Sequence, residues 1–214
     1  MILLNQLKEN KGTVSSALGK ELAKDVLNGR LDILTDALEL IHFEDKNVRS
    51  GAAKIIEKVA EEKPALISDH LSELVVCMNY PESQTRWMVL HIAGLCAHLV
   101  PDISRDFFFD AVKYLDKSHG TVLNDRAITY LGYMGAVSEE DCRNSYPYLI
   151  ESFDSHSNRI TRIFESLSRM IELLDKSARL KVLEYANIHA TNEKKSVQKW
   201  AAIITKELIF HKPY

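Results

Sequence analysis

Apolar residues recur along this chain at the spacing of one face of an α-helix. The stretch NVRSGAAKIIEKVAEEKP places apolar or small side chains at Val48, Ala52, Ile55, Ile56 and Val59. Residues three, four and seven positions apart share one side of a helix, so the stretch predicts an amphipathic helix with one buried face. Glycine and proline are scarce, with 8 and 5 residues, which argues against a fold rich in strands.

The apolar face of this helix returns four more times, at steps of 37 or 38 residues. The anchor positions of the five copies are Val48, Thr85, Leu123, Ile160 and Val197. The positions four, seven and eleven residues after each anchor are apolar in every copy, namely Ala52, Val89, Ala127, Phe164 and Ala201; Ile55, Ile92, Tyr130, Leu167 and Ile204; Val59, Cys96, Met134, Ile171 and Leu208. Such a period indicates a repeat fold whose stacked units share a core.

Each period also contains a second apolar pattern, so the predicted unit is a pair of helices. Pro64 and Pro101 each follow their anchor by 16 residues, where a proline suits the first turn of a new helix. We therefore predict an all-α fold, a right-handed α-α superhelix of five helical pairs whose helices are about 15 residues long.

The N-terminal region lies outside the period. Residues 13–28 predict one extra amphipathic helix, which we interpret as the cap that a terminal repeat needs. With this cap the fold contains about eleven helices. The predicted domains are 1–29, an N-terminal segment and capping helix whose first residues 1–12 are frayed, and 30–214, a single continuous repeat domain.

The start of the first copy carries a family pattern. Residues 45–52 have the form D-x-x-V-R-x-x-A, and the second copy keeps part of it as Glu82 and Arg86. This resembles the second helix of a HEAT repeat, a family of the armadillo-like α-solenoid class. The resemblance implies that the second helices line a concave groove. We expect Arg49 and Arg86 to be structural and to bridge neighbouring turns through Asp45 and Glu82.

The groove-facing positions follow from the core-facing ones. If offsets of zero, four, seven and eleven residues face the core, then offsets of two, six and nine point roughly the other way. In the last two copies these helices carry seven basic residues against three acidic ones: Arg159, Arg162, Arg169, Lys194, Lys195, Lys199 and Lys206 against Glu165, Glu172 and Glu207. The predicted binding residues are Trp87, His91, Arg162, Arg169, Lys199 and Lys206.

Composition narrows the partner and the location. The formal net charge of −3 excludes a chain whose whole surface binds nucleic acid but permits a local basic patch. We expect a protein or peptide partner of acidic character, with nucleic acid as the alternative, and a monomeric chain. Three widely spaced cysteines predict free thiols in a reducing compartment. The longest apolar stretch, residues 87–100, is short for a membrane span, so we predict a cytoplasmic protein without membrane contact.

Motifs of common enzymes and cofactor sites do not occur in the sequence. No cofactor is predicted, and no metal, because His91 and His98 lie seven positions apart and neither has an acidic or sulfur ligand four residues on. Asp125, Arg162 and Trp200, spaced one repeat apart, are similar to alkylpurine DNA glycosylases of HEAT-like fold. That resemblance implies a catalytic role for Asp125 in stabilising a cationic sugar, although Thr121 stands where that family has a tryptophan.

The function predicted from the sequence is a non-catalytic scaffold or adaptor that holds a protein or peptide in the groove, with a basic C-terminal half. The alternatives are a DNA-binding, glycosylase-like enzyme and an accessory subunit of a larger enzyme.

Overall fold

The computed structural model describes residues 2–10 and 16–210, and these residues are helical without any β-strand. Their α-helices are α1 (Ile2–Glu9), α2 (Ser16–Leu27), α3 (Leu31–Leu40), α4 (Lys46–Glu62), α5 (Leu71–Leu74), α6 (Ser83–Leu95), α7 (Pro101–Arg105), α8 (Phe108–Lys113), α9 (Thr121–Gly135), α10 (Glu139–Ser155), α11 (Ile160–Arg169), α12 (Lys176–His189) and α13 (Lys195–Phe210). Short 3-10 helices cover Pro64–Leu66, Ser68–His70, Val75–Asn79, Lys117–His119 and Ile171–Leu173.

The chain forms two compact units, Met1–Asp110 and Ala111–Tyr214. We call the second helix of each period a B helix, which makes α4 and α6 the B helices of the first unit and α9, α11 and α13 those of the second. In the first unit α2 packs against α4, and α4 packs against α6; in the second unit α9 packs against α11, and α11 against α13. The predicted single domain over residues 30–214 stays a prediction.

Helix α2 lies where the capping helix is predicted. It ends before Gly29, whose φ of 108° lies in the region that favours glycine, so the chain can leave the helix there without strain. By packing along α4, it covers the edge of the row of B helices. Residues 13–15 of the predicted cap lie outside the described residues.

The prediction that residues 1–12 are frayed is wrong for Ile2–Glu9, which form α1. Leu3 and Leu7 are each only 3% exposed, because α1 packs against α3 and α4. The contact depends on Gly51 of α4, where a Cβ atom would lie 2.7 Å from Leu7 Cδ2. A short helix is therefore held by tertiary contacts that its own apolar pattern does not reveal.

The first B helix has the local signals that its sequence predicts. The Asp45 carboxylate accepts hydrogen bonds from the backbone N–H groups of Asn47 and Val48, which otherwise lack partners at a helix start. The helix ends at Glu62, and Pro64 begins the next helical turn. Its buried face includes Val48, Ala52 and Ile55, all fully buried.

The first helices of the second and third periods differ from the prediction. A continuous helix of about 15 residues is wrong there, because residues 64–79 form short 3-10 and α segments and residues 101–119 are likewise interrupted. In the first of these, the Ser68 hydroxyl donates to the carbonyl oxygen of Ala65, a local bond that competes with regular helix pairing. Such interruptions raise the number of α-helices in the described residues to thirteen, against the predicted eleven.

The predicted core positions are confirmed. The residues at offsets zero, four, seven and eleven are buried in all five copies, except for Leu208, which is half-buried near the end of α13. Ala52, Val89 and Ala127 are fully buried, as the close approach of helices requires of small residues. The three cysteines are also buried as free thiols, and burial raises the pKa of Cys96 to about 12. Within the described residues, no helix is both long enough and apolar enough to cross a membrane.

Candidate functional site

The B helices carry the predicted binding residues, but only part of their outward side is open. The offset-two residues Trp87, Asp125 and Arg162 are half-exposed, and Lys199 is exposed, as expected. By contrast, the structure buries the offset-six residues of the first four copies and the offset-nine residues of the first three: Lys54, His91, Thr129 and Ser166; Glu57, Gly94 and Gly132.

The cause of this burial is the close packing of neighbouring B helices within each unit. A Cβ atom at Gly132 of α9 would lie 2.5 Å from the Cβ of Ser166 on α11, so the two helices touch along small side chains. The Ser166 hydroxyl donates to the carbonyl oxygen of Ile128 at 2.9 Å. Residues that point away from the core thus face the next B helix, and the expectation that all of them face open solvent is wrong.

Arg49 has the structural role that its position predicts. Its Nε and Nη2 atoms donate to the two carboxylate oxygens of Glu82 at 2.7 and 2.8 Å, and its Nη1 donates to the carbonyl oxygens of Phe43 and Glu44. The guanidinium also lies 4.8 Å from the centre of the Tyr80 ring. Asp45 is not the bridging partner but caps α4, and Arg86 Nη2 lies 3.5 Å from the carbonyl oxygen of Pro81.

A buried polar network joins α4 to α6 in the first unit. Glu57 Oε2 accepts a hydrogen bond from Lys54 Nζ at 2.6 Å, and His91 Nδ1 lies 2.8 Å from Glu57 Oε1. Burial raises the pKa of Glu57, but the hydrogen bonds to His91 and Lys54 outweigh it and lower this pKa to about 2. The carboxylate is therefore ionised and fully buried, and it holds two B helices together.

Trp87 lies beside this network. Lys54 Nζ is 4.5 Å from the centre of the indole ring, and the ring is half-exposed. A cation placed over a tryptophan face favours one ring orientation. The structure thus brings the predicted residues Trp87 and His91 close to one another, with His91 buried and Trp87 reaching the surface.

Asp125 forms an ion pair with Arg159 in the second unit. Its Oδ1 lies 3.0 Å from Arg159 Nε, and the two side chains are 30% and 18% exposed. Arg162, the phosphate-binding candidate of the glycosylase resemblance, pairs with Glu165 on its own helix. Both charges already have partners within the chain, so a nucleic-acid role would need these pairs to open.

The basic side chains of α11 and α13 form an exposed surface in the second unit. We call the four residues Arg162, Arg169, Lys199 and Lys206 the basic face. The Arg169 guanidinium lies 4.5 Å from the centre of the Tyr133 ring and donates to the carbonyl oxygen of Glu165, so its position is defined. Lys199 and Lys206 are exposed, and neither forms an ion pair with any described residue. Lys206 Nζ lies 5.8 Å from the centre of the exposed Phe210 ring.

Sequence reasoning missed the carboxylate neighbours of His91. It compares His91 only with His98 on the same helix, whereas Glu57 and Glu61 lie on the preceding B helix. The signal was present in the period, because His91 follows Glu57 by 34 residues, close to one repeat. Side chains that differ by about one repeat meet across neighbouring B helices.

Comparison with known proteins agrees with this architecture. An engineered protein superimposes with a TM-score of 0.67 at 14% identity, covering 99% of this chain and 98% of that chain. A designed armadillo repeat protein gives a TM-score of 0.66 at 14% identity, covering 97% and 98%. The fold is that of armadillo-like helical repeats. A further designed armadillo repeat protein, in complex with the peptide (KR)4, gives a TM-score of 0.67 at 13% identity, covering 97% and 98%.

These likenesses confirm the predicted all-α repeat fold class and, at such low identity, speak for the fold alone. No protein-family model matches the chain, and no curated protein sequence matches it either.

Proposed function

We propose that this armadillo-like repeat protein is a non-catalytic scaffold of HEAT type that binds an acidic segment of a partner protein. One of its designed structural neighbours was solved with a peptide, which supports peptide binding as a use of this fold. The HEAT assignment rests on the Asp45 cap and on the bidentate pair between Arg49 and Glu82, which link one repeat to the next.

The basic face is the observation that carries the proposal. Lys199 and Lys206 are two turns apart on α13, about 10 Å, as are Arg162 and Arg169 on α11. Adjacent packed helices lie about 8–10 Å apart, so the four cations form a grid with a spacing of about 10 Å. An extended peptide covers about 10 Å in three residues, and acidic side chains at positions i and i+3 therefore match this grid.

Trp87 is proposed as a separate apolar anchor on the first unit. It offers a half-exposed aromatic ring whose orientation is held by Lys54, and rigid aromatic side chains are frequent anchors in interfaces. His91 contributes indirectly, because it is buried and holds Glu57, the carboxylate that positions Lys54. Trp87→Ala is expected to weaken partner binding several-fold without unfolding the chain.

A direct test is titration of the full chain with a labelled peptide that carries Glu at every third position in a Gly/Ser background. We expect saturable binding that weakens with added salt. Lys199→Glu/Lys206→Glu should lower the affinity at least about tenfold, or about 1.4 kcal/mol. The matched control is Lys113→Glu/Lys176→Glu, which makes the same change in net charge at exposed positions of α8 and α12.

The control separates a specific surface from bulk charge. If both double variants lose affinity equally, only the net charge matters, and the proposal fails. It also fails if the basic-face variant binds as tightly as the wild type.

A further inference from the structure

Three potential metal ligands meet between α4 and α6. Glu57 and Glu61 are four residues apart on one face of α4, and His91 reaches them from α6. One ligand atom from each lies within 4.8 Å of the other two. We propose that Glu57, Glu61 and His91 form a binding site for a divalent transition-metal ion of the zinc type.

The distances between the ligand atoms suit such an ion. His91 Nδ1 is 2.8 Å from Glu57 Oε1 and 3.9 Å from Glu61 Oε1. Zinc bonds to histidine nitrogen and carboxylate oxygen are about 2.0–2.2 Å long, which places tetrahedral ligands roughly 3.4 Å apart. The two observed distances lie on either side of this value, so rotations of about 0.5 Å at the side-chain ends would complete the site. The ion would replace the hydrogen bond between His91 and Glu57.

The charges and the burial of the cluster also favour a cation. Two carboxylates stand against one ammonium, that of Lys54, and this leaves the group negative when the imidazole is neutral. Lys54 binds Glu57 Oε2 and leaves Oε1, the atom nearest His91, as the metal ligand. It therefore acts as the outer partner that orients a ligating carboxylate.

Access to the site comes through Glu61. Glu57 is fully buried and His91 is 7% exposed, whereas the side chain of Glu61 is 28% exposed. An ion can reach the two buried ligands past the one at the surface. A histidine and two carboxylates supply three ligands, which leaves a fourth position for water.

A nearby pair in the same unit provides a matched control. His70 Nδ1 lies 3.2 Å from Glu73 Oε1, the same two residue types at hydrogen-bond distance, but both side chains are exposed. Glu73→Gln therefore makes the same chemical change as Glu61→Gln outside the proposed site. Both replaced carboxylates lie at the surface, so neither variant disturbs the core.

The experiment is calorimetric titration of the chelator-treated full chain with Zn²⁺ at neutral pH, repeated with Co²⁺ to read the ligand type from its absorption spectrum. We expect one ion per chain, a Co²⁺ spectrum without a thiolate charge-transfer band, and at least about tenfold weaker binding in Glu61→Gln. Glu73→Gln should bind as the wild type does, and His91→Gln, with its fold checked by circular dichroism, should lose the site.

Several outcomes would overturn the proposal. These are the absence of saturable binding, a thiolate band that assigns the ion to a cysteine, and equal affinity in Glu61→Gln and the wild type. In each case the three residues are only a hydrogen-bonded bridge between two helices.

Discussion

Replacing Gly132 by alanine tests the close contact between α9 and α11. A Cβ atom at this position would lie 2.5 Å from Ser166 Cβ and 2.6 Å from Ser166 Cα. Carbon atoms prefer separations of about 3.5–4.0 Å, so the two helices would have to separate by roughly 1 Å. The contact involves backbone, and no side-chain rotation alone can relieve it.

The magnitude follows from three opposing contributions. Alanine is favoured over glycine inside a helix by about 1 kcal/mol, which stabilises the variant. Overpacking a filled contact costs about 1–3 kcal/mol. Separation of the helices also weakens the buried hydrogen bond from Ser166 to the carbonyl oxygen of Ile128, at a cost of about 1 kcal/mol. We expect Gly132→Ala to lower the free energy of unfolding by about 1–3 kcal/mol.

Gly51→Ala is the matched control for this prediction. The added Cβ would meet Leu7 Cδ2 at 2.7 Å, but this atom is the end of a side chain that can rotate. Helix propensity then offsets the local adjustment, and the free energy of unfolding should stay within about 1 kcal/mol of the wild type.

The assay is urea unfolding followed by far-ultraviolet circular dichroism, with the slope of the transition compared among wild type and both variants. The reasoning is refuted if Gly132→Ala is as stable as Gly51→Ala, because the backbone contact between α9 and α11 would then cost nothing.

Three further predictions concern the core, the ion pairs and the enzyme alternative. Ala127→Phe, at a fully buried position, should destabilise the chain by about 1–3 kcal/mol in the same urea assay, and an unchanged midpoint would contradict the assigned packing. Burial raises the pKa of Glu82, but hydrogen bonds from Arg49 and others lower it overall, below the usual 4.5. The pair's stabilisation is thus fully present above about pH 4.5 and is lost as pH falls through the folded-state pKa. Glu82→Gln should therefore flatten the acid side of the stability profile, and an identical pH dependence would show that the pair contributes nothing. Asp125→Asn frees Arg159 and should change peptide affinity by at most about 1 kcal/mol, whereas release of alkylated purines that depends on Asp125 would favour a glycosylase.

The period of the sequence determined which face of each B helix is buried. Apolar residues such as Val89 and Leu167 recur at offsets that lie on one helical face, and burial of apolar area drives that face inward whatever the neighbour is. The N-cap at Asp45 was readable for the same reason, since it depends only on residues adjacent in sequence.

The tertiary structure alone decided how neighbouring helices meet. The burial of Ser166 and Glu57 depends on the distance between adjacent B helices, and no single helix encodes that distance. The interruptions over residues 64–79 and the docking of α1 likewise depend on contacts with other elements, which override local helix propensity. The neighbours of His91 belong to the same class. Glu57 and Glu61 reach it only because α4 packs against α6, so a hydrogen-bonded cluster that can hold a cation arises from two helices that each look ordinary in sequence.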